Sequence, residues 1–191
     1  LHRLRRHAPD GHLRLDETSI RNLEIFHTLR DGNRKGSLLW AVDRTSTAMG
    51  GRMLRSWLAA PLCSIGGISE RQDGIEALLG ESKLRAELQS RLKDVRDVVR
   101  LAARARLGTI KPRELAALRR SLQALPQLVK GLEELRGRRT DLALPKVLEL
   151  GGDLLEDLCA DLEENLVDDP PAITREGGVL RSSCDEELGT Q

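Results

Sequence analysis

"DRTSTAMGGRMLRSWLAAPL", Asp43 to Leu62, sets two threonines, a glycine pair and a tryptophan in one short run. Thr47 is a good N-cap. Behind it Met49, Met53, Leu54, Trp57 and Leu58 recur at i, i+4, i+5, i+8 and i+9, the spacing of one apolar helix face. Arg52, Arg55 and Ser56 fall on the opposite side, and Pro61 ends the element. The spacing predicts that Met53 and Trp57 lie in a core. Each of Gly50 and Gly51 costs a helix up to ~1 kcal/mol relative to alanine. In a first turn that cost is tolerable where a neighbouring backbone comes close, so a close-packed helix junction is predicted. A glycine-containing helix start can also hold an anion, but no strand-loop-lysine pattern precedes this one.

Working outward, "HLRLD" alternates apolar and basic residues and predicts a short strand near Leu13 to Leu15. Asp16 or Thr18 then caps a helix with Ile20, Leu23, Phe26 and Leu29 on one side, stopped at Asp31-Gly32. Ser37 caps a brief helix, "LLWAV". Ser69 and Gln72 have the spacing of a capping box, with Gly80 as the stop. Leu84, Leu88, Leu92, Val95 and Val99 continue one apolar stripe, and Arg96, Arg100 and Arg104 form a basic stripe along it. Pro112 suits the first turn of a long helix through Leu115, Leu118, Leu122 and Leu125, and Pro126 kinks it or begins another. Gly137 to Asp141 reads as a polar break. Leu154, Leu155, Leu158, Leu162 and Leu166 mark a further amphipathic helix. Pro170-Pro171 forbids helix, and a β-hairpin turning at Gly177-Gly178 is predicted. The fold class is mainly α, a multi-helix domain with that strand and hairpin as its only β structure.

Composition agrees. The 191 residues contain no tyrosine and one phenylalanine, whereas strands favour aromatic and β-branched residues. The net charge of +1 conceals a polarity. Residues 1–60 carry 11 Lys or Arg against 6 Asp or Glu, residues 61–140 carry 17 against 10, and residues 141–191 carry 3 against 14. Such an asymmetry can orient a partner, although solvated helix faces account for it as simply. No apolar run approaches the ~20 residues a membrane helix needs, and the start has no secretory pattern, so a cytoplasmic location is expected. Cys63, Cys159 and Cys184 are odd in number and widely spaced, and His2, His7, His12 and His27 form no i, i+4 pair. No metal site is expected. "GNRKGS", Gly32 to Ser37, lacks the spacing of a phosphate loop, and no nucleophile elbow or zinc helix is present. No catalytic residue is predicted, and almost no aromatic platform exists for single-stranded nucleic acid.

Three stretches resemble the core, or lever, domain of the MutS DNA mismatch-repair family. They are "LRLDETSIRNLEIF", "SLLWAVDRTSTAMGGRMLRSWLAAPL" and "ISERQDGIEAL". The positions carrying the resemblance are Leu15, Asp16, Arg21, Asn22, Leu23 and Glu24, then Asp43, Thr45, Thr47, Met49, Gly50, Arg52, Leu54, Arg55, Trp57, Leu58 and Pro61. The tail "DDPPAITREGGVLRSSCDEEL" is similar to the family's hairpin ahead of its DNA clamp. The resemblance implies a helical core/lever segment over residues 1–167, with residues 168–191 as a hairpin and connection toward a clamp. It implies a mechanical role, linking nucleotide state to DNA clamping, with Gly50-Gly51 as a packing joint. ATP and Mg belong to the full-length family, whose ATPase, connector and mismatch-reading domains are not legible in these residues. Mismatched duplex DNA, a second MutS copy and a MutL-type protein are the implied partners. Two other readings stay open. One is a stand-alone helical interaction module. The other is a non-specific duplex-DNA binder using Arg96, Arg100, Arg104, Lys111 and Arg113.

Overall fold

The structure is a computed structural model and describes residues 11–141 and 152–182. Cys184, His2, His7 and the "DEEL" run lie outside the described residues. Of the described chain, residues 11–77 with Asp141 form one compact unit and residues 78–140 with 152–182 form a second. Among the described residues the architecture is eight α-helices and one short 3-10 turn, with no strand.

In the first unit, α1 (Glu17–Asn22) is capped by Asp16, whose Oδ1 accepts the Ser19 N–H at 2.6 Å. The helix stops far short of Asp31. Glu24 sits at φ 50°, a left-handed conformation that ends helices. Its carboxylate accepts the Leu29 N–H at 2.6 Å. The predicted stripe therefore dissolves after Ile20: Leu23 and Leu29 are exposed, while Phe26 is buried from a loop. The Glu24 and Ile25 carbonyls accept the Leu38 and Leu39 amides at 3.0 and 2.9 Å, docking that loop on α2 (Leu38–Val42). Ser37 caps α2 as predicted. Its Oγ accepts from the Trp40 N–H at 3.2 Å and donates to the Arg34 carbonyl at 2.7 Å.

α3 (Ala48–Ala59) departs from the expected core face, since none of its residues is fully buried. Leu54, Leu58 and Ala59 pack against the small core of Ile25, Phe26 and Leu39, joined by Leu15 and Ile20. Met53 is 44% exposed and Trp57 is only partly buried. Adjacent helical residues point about 100° apart. A seam centred on Leu54 and Leu58 thus leaves Met53 and Trp57 on its flank.

The strand predicted at Leu13 to Leu15 does not form. A single antiparallel bridge joins His12 to Leu62, with Leu13 N–H donating to the Pro61 carbonyl and Cys63 N–H to the Gly11 carbonyl, both at 2.7 Å. Pro61 has no N–H to extend the ladder, and Asp16 turns the chain into α1 at once. α4 (Ile65–Gly80) begins ahead of the predicted Ser69 cap, leaving Ser69 inside the helix. Ser64 does the capping, its Oγ accepting the Gly67 N–H at 3.2 Å. The predicted stop at Gly80 holds.

The second unit is built on α7 (Pro112–Arg138), against which α5 (Ser82–Leu92), α6 (Val98–Arg106) and α8 (Glu156–Asn165) pack. Pro112 occupies the first turn as predicted, and the Glu114 carboxylate accepts the Lys111 N–H at 3.0 Å. Pro126 does not start a new element; α7 runs through it and through Gly137. Leu101, Leu118 and Leu122 form a buried core with Val98, Ile110, Ala117, Leu125, Cys159 and Leu162 around it. Further along α7, Gly131 lets α5 come close: a Cβ there would lie 2.8 Å from Leu88 Cδ2. The stripe expected to run unbroken from Leu84 to Val99 is interrupted after Leu92. Asp97 caps α6 by accepting the Arg100 N–H at 3.3 Å, and Val99 is 68% exposed.

The hairpin at Gly177-Gly178 is also corrected. Residues Thr174–Glu176 form a 3-10 turn, both glycines adopt positive φ, and pairing is limited to one bridge between Leu166 and Leu180. Pro170 and Pro171 supply no amide donors to lengthen that pairing.

Candidate functional site

The polar residues of the Asp43–Leu62 stretch converge on the start of α3. Asp43 Oδ1 accepts from the Thr45 N–H at 3.0 Å and from the Thr45 hydroxyl at 2.7 Å. Its other oxygen pairs with Arg34. The two Thr45 hydrogen bonds, side chain first, together with Arg34, hold the Asp43 carboxyl below the usual aspartate range. Thr47 then caps α3, its Oγ1 accepting the Gly50 N–H at 3.0 Å, while Gly51 N–H donates to the Thr47 carbonyl at 3.0 Å.

These bonds bear on both expectations for the glycine pair, the helix junction and the anion site. Both amides already have acceptors inside the chain, so they do not form a phosphate cradle. The atoms nearest to a Cβ added at Gly50 belong to Thr47 (3.1 Å) and Thr45 (3.5 and 3.6 Å), and the one near Gly51 is Thr45 Oγ1 at 3.4 Å. The close approach is that of the helix's own capping turn, not of a second helix. Among the described residues, no group of three or more His, Cys, Asp or Glu could hold a metal ion.

The other motif positions serve the same local architecture. Asp16 caps α1, and hydrogen bonds from the Ser19 side chain and backbone keep its carboxyl low. Asn22 is the last helical residue, and Glu24 takes the left-handed position that follows. Arg21 is exposed beside a groove shared with Ile20 and Phe26. Met49 is partly buried and Arg52 exposed. Arg55 lies over the Phe26 ring, 4.0 Å from its centre, and Arg71 over Trp57 at 3.8 Å. Pro61 accepts the Leu13 amide.

Of the five residues named as possible duplex-DNA contacts, Arg100 and Arg104 lie one turn apart on α6, and Lys111 and Arg113 lie at the start of α7. Arg96 precedes α6, so it shares no helix with Arg100 and Arg104. Arg104 pairs with Glu114 at 2.6 Å and also donates to the Thr109 carbonyl. Arg113 Nε donates to the Pro170 carbonyl at 3.3 Å, and Lys111 stands exposed at the cap of α7. Arg96 instead lines a groove of about 370 Å³ with Arg91, Asp94, Ala117, Arg120 and Gln123. Its backbone is fixed there by donation to the buried Ser121 Oγ at 2.9 Å. Arg91 is partly neutralised by Glu87 at 2.7 Å.

Sequence reasoning passed over Arg119, a charge that is only 5% exposed. Its signal was positional: it lies four residues after Leu115 and three before Leu122, on the apolar stripe. Cys159 flanks the same core. Burial, and then the Glu163 carboxylate that accepts from its thiol at 3.7 Å, push that thiol up.

A helical unit built on one long helix follows in sequence a capped helix start whose polar residues bond to nearby backbone. The family model described as MutS domain III matches residues 18–189, and this chain belongs to that family. It is 44% identical over 188 residues to the DNA mismatch repair protein MutS of Nostoc punctiforme, an alignment covering 98% of this chain and 20% of that protein. Against the same-named protein of Exiguobacterium sp. it is 42% identical over 179 residues, covering 94% and 21% respectively. For Thermosynechococcus vestitus the identity is 42% over 191 residues, covering 100% and 21%. The chain thus spans about a fifth of the length of the curated relatives it matches.

Proposed function

We propose that this chain is the lever segment of a MutS-like DNA mismatch-repair protein, carrying no chemistry itself and coupling nucleotide state elsewhere in that protein to DNA clamping. The observation that carries this reading is the MutS domain III match across residues 18–189. The geometry supports it. α7 has 27 residues, and at 1.5 Å per residue it is about 40 Å long, a scale suited to passing displacement between distant sites. Mismatched duplex DNA, a second MutS copy and a MutL-type protein are then partners of the whole protein, and ATP and Mg are bound by other segments of it. A cytoplasmic setting fits this reading, and no helix among the described residues is long and apolar enough to cross a membrane.

A segment exchange tests the proposal. This chain replaces its counterpart in the Exiguobacterium MutS, and ATP-triggered release from a G·T-mismatched duplex is measured. The lever reading expects release that still responds to ATP. A chimera that binds the mismatch and hydrolyses ATP, yet releases DNA at the same rate with and without it, contradicts the reading.

One observation favours a second reading, sequence-independent duplex binding: the groove that gathers Arg91, Arg96 and Arg120. Under it, affinity falls steeply between about 50 and 200 mM salt as counterions are released, and Arg96→Gln with Arg120→Gln abolishes it. The lever reading expects weak binding and no mismatch preference from the isolated chain, since discrimination needs base contacts or an inserted wedge. A preference of tenfold or more, ~1.4 kcal/mol, contradicts the lever reading.

A further inference from the structure

Three guanidinium groups meet the backbone where α8 ends. Arg119, on α7 and 5% exposed, donates to the Leu166 carbonyl at 2.9 Å, to the Leu162 carbonyl at 3.4 Å, and to those of Val167 and Asp168 at 3.4 and 3.3 Å. Asp168 stands 3.5 Å away as its ion-pair partner, with a side chain that is 84% exposed. Arg181 shares the Leu166 carbonyl and the Asp168 carboxylate with Arg119. Its Nε donates to Glu163 O and Leu166 O, both at 3.1 Å, and its terminal nitrogen reaches Asp168 Oδ1 at 2.7 Å. Arg113 adds its bond to the carbonyl of the fully buried Pro170.

Two physical features follow. The last carbonyls of a helix have no partner within it and carry the negative end of its dipole, so cations are favoured there. A guanidinium removed from water cannot be left without acceptors, because an unpartnered buried charge is strongly disfavoured. A partial opening that withdraws the α8 carbonyls while Arg119 stays buried is therefore the least favourable arrangement. The segment either stays attached in full or leaves with Arg119 becoming hydrated.

We infer that Arg119 makes the exit of α8 a two-position latch: residues 162–181 are held on α7 or released as one unit, with no stable intermediate. Leu162 of α8 shares the core of Leu118 and Leu122, whereas Leu128 and Leu135 lie buried further along α7, where α5 packs at Gly131. Arg181, bonded directly to the Glu163 and Leu166 carbonyls, and Asp168, bonded to both guanidiniums, set how firmly the latch holds. The inference concerns this joint alone and stands whether or not the segment works as a lever.

Two amides report the latch directly: Val167 N–H, which donates to the Val179 carbonyl at 3.2 Å, and Arg181 N–H, which donates to Asn165 O at 2.9 Å. Hydrogen exchange is followed at both, and at Leu128 and Leu135 as references, in the 191-residue chain and in Arg119→Lys. Lysine keeps the charge but loses the planar fork that serves several carbonyls at once. Exchange at Val167 and Arg181 is expected to accelerate together by about tenfold or more, the scale of leaving buried acceptors unmet, with the α7 references unchanged. Equal acceleration at the references would mean a general core defect and overturns the inference, as does no change at the two reporters. Should Arg119→Lys fail to fold, Arg181→Gln serves, because that side chain is 39% exposed. It must raise exchange at Val167 and Glu164–Leu166 by one common factor; different factors at these amides overturn the single-unit latch.

Discussion

The unit of residues 11–77 and the unit built on α7 hold their chains by different means. In the first, the buried hydrophobic residues number three in its core cluster, Ile25, Phe26 and Leu39, and neither α1 nor α3 has a fully buried residue. Its order comes from side chains closing on nearby backbone: Asp16, Glu24, Ser37, Asp43 and Thr47 each accept an amide within five residues. The second unit buries nine residues of α7 alone, Arg119 and Ser121 among them. The difference teaches that the stretch carrying the family resemblance is rich in local instruction and poor in burial, whereas the tightest packing lies where the sequence reads as generic amphipathic helix.

The largest expected effect falls in the second unit. Leu122 is 2% exposed, and Leu122→Ala should cost about 2–5 kcal/mol, read by urea unfolding. A loss below about 1 kcal/mol would erase the contrast in packing. A smaller effect sharpens it from the other side. Trp57 is half-buried under Arg71, so Trp57→Ala should cost about 1–2 kcal/mol from lost area and the ring–cation contact. Met53→Ala, on the exposed flank, should cost less than about 0.5 kcal/mol. Equal losses at these two positions would mean that α3 faces its core otherwise than Leu54 and Leu58 indicate.

The smallest effect is electrostatic. The carboxyls of Asp16 and Asp43 are both held below their ordinary range by hydrogen bonds. Such a group binds its proton more readily in the unfolded chain. Its stabilising contribution is complete above the ordinary value of about 4 and disappears as pH falls through the lowered folded value. Melting temperature measured down through that window should therefore fall less steeply in Asp43→Asn than in the parent. Parallel curves would show that the Asp43 hydrogen bonds add nothing to folding.

Much of the first unit was legible because caps are local chemistry. Asp16, Ser37 and Thr47 announce helix starts by residue type, and Pro112 and Gly80 mark a start and a stop. What escaped reading depended on partners distant in sequence. Periodicity identified an apolar face on α3 but not that its seam runs through Leu54 and Leu58. The Leu84-to-Val99 stripe kept its spacing across a real break, because Lys93, Asp94 and Arg96 are tolerated in a helix and only Asp97's cap and Ser121's hold on Arg96 reveal the turn. The strand and the hairpin failed for a shared reason: proline at Pro61 and at Pro170-Pro171 leaves too few donors for a ladder. Arg119 could not be singled out from Arg120 by composition; only its place on the leucine stripe distinguishes them.

The central claim is that the polar motif before α3 works as a backbone cap. Comparing Thr47→Ser with Thr47→Val tests it most directly, since serine keeps the hydroxyl that Gly50 N–H donates to and valine keeps the shape without it. Urea unfolding should leave Thr47→Ser within about 0.5 kcal/mol of the parent and cost Thr47→Val about 1 kcal/mol. A valine variant as stable as the parent would contradict the account.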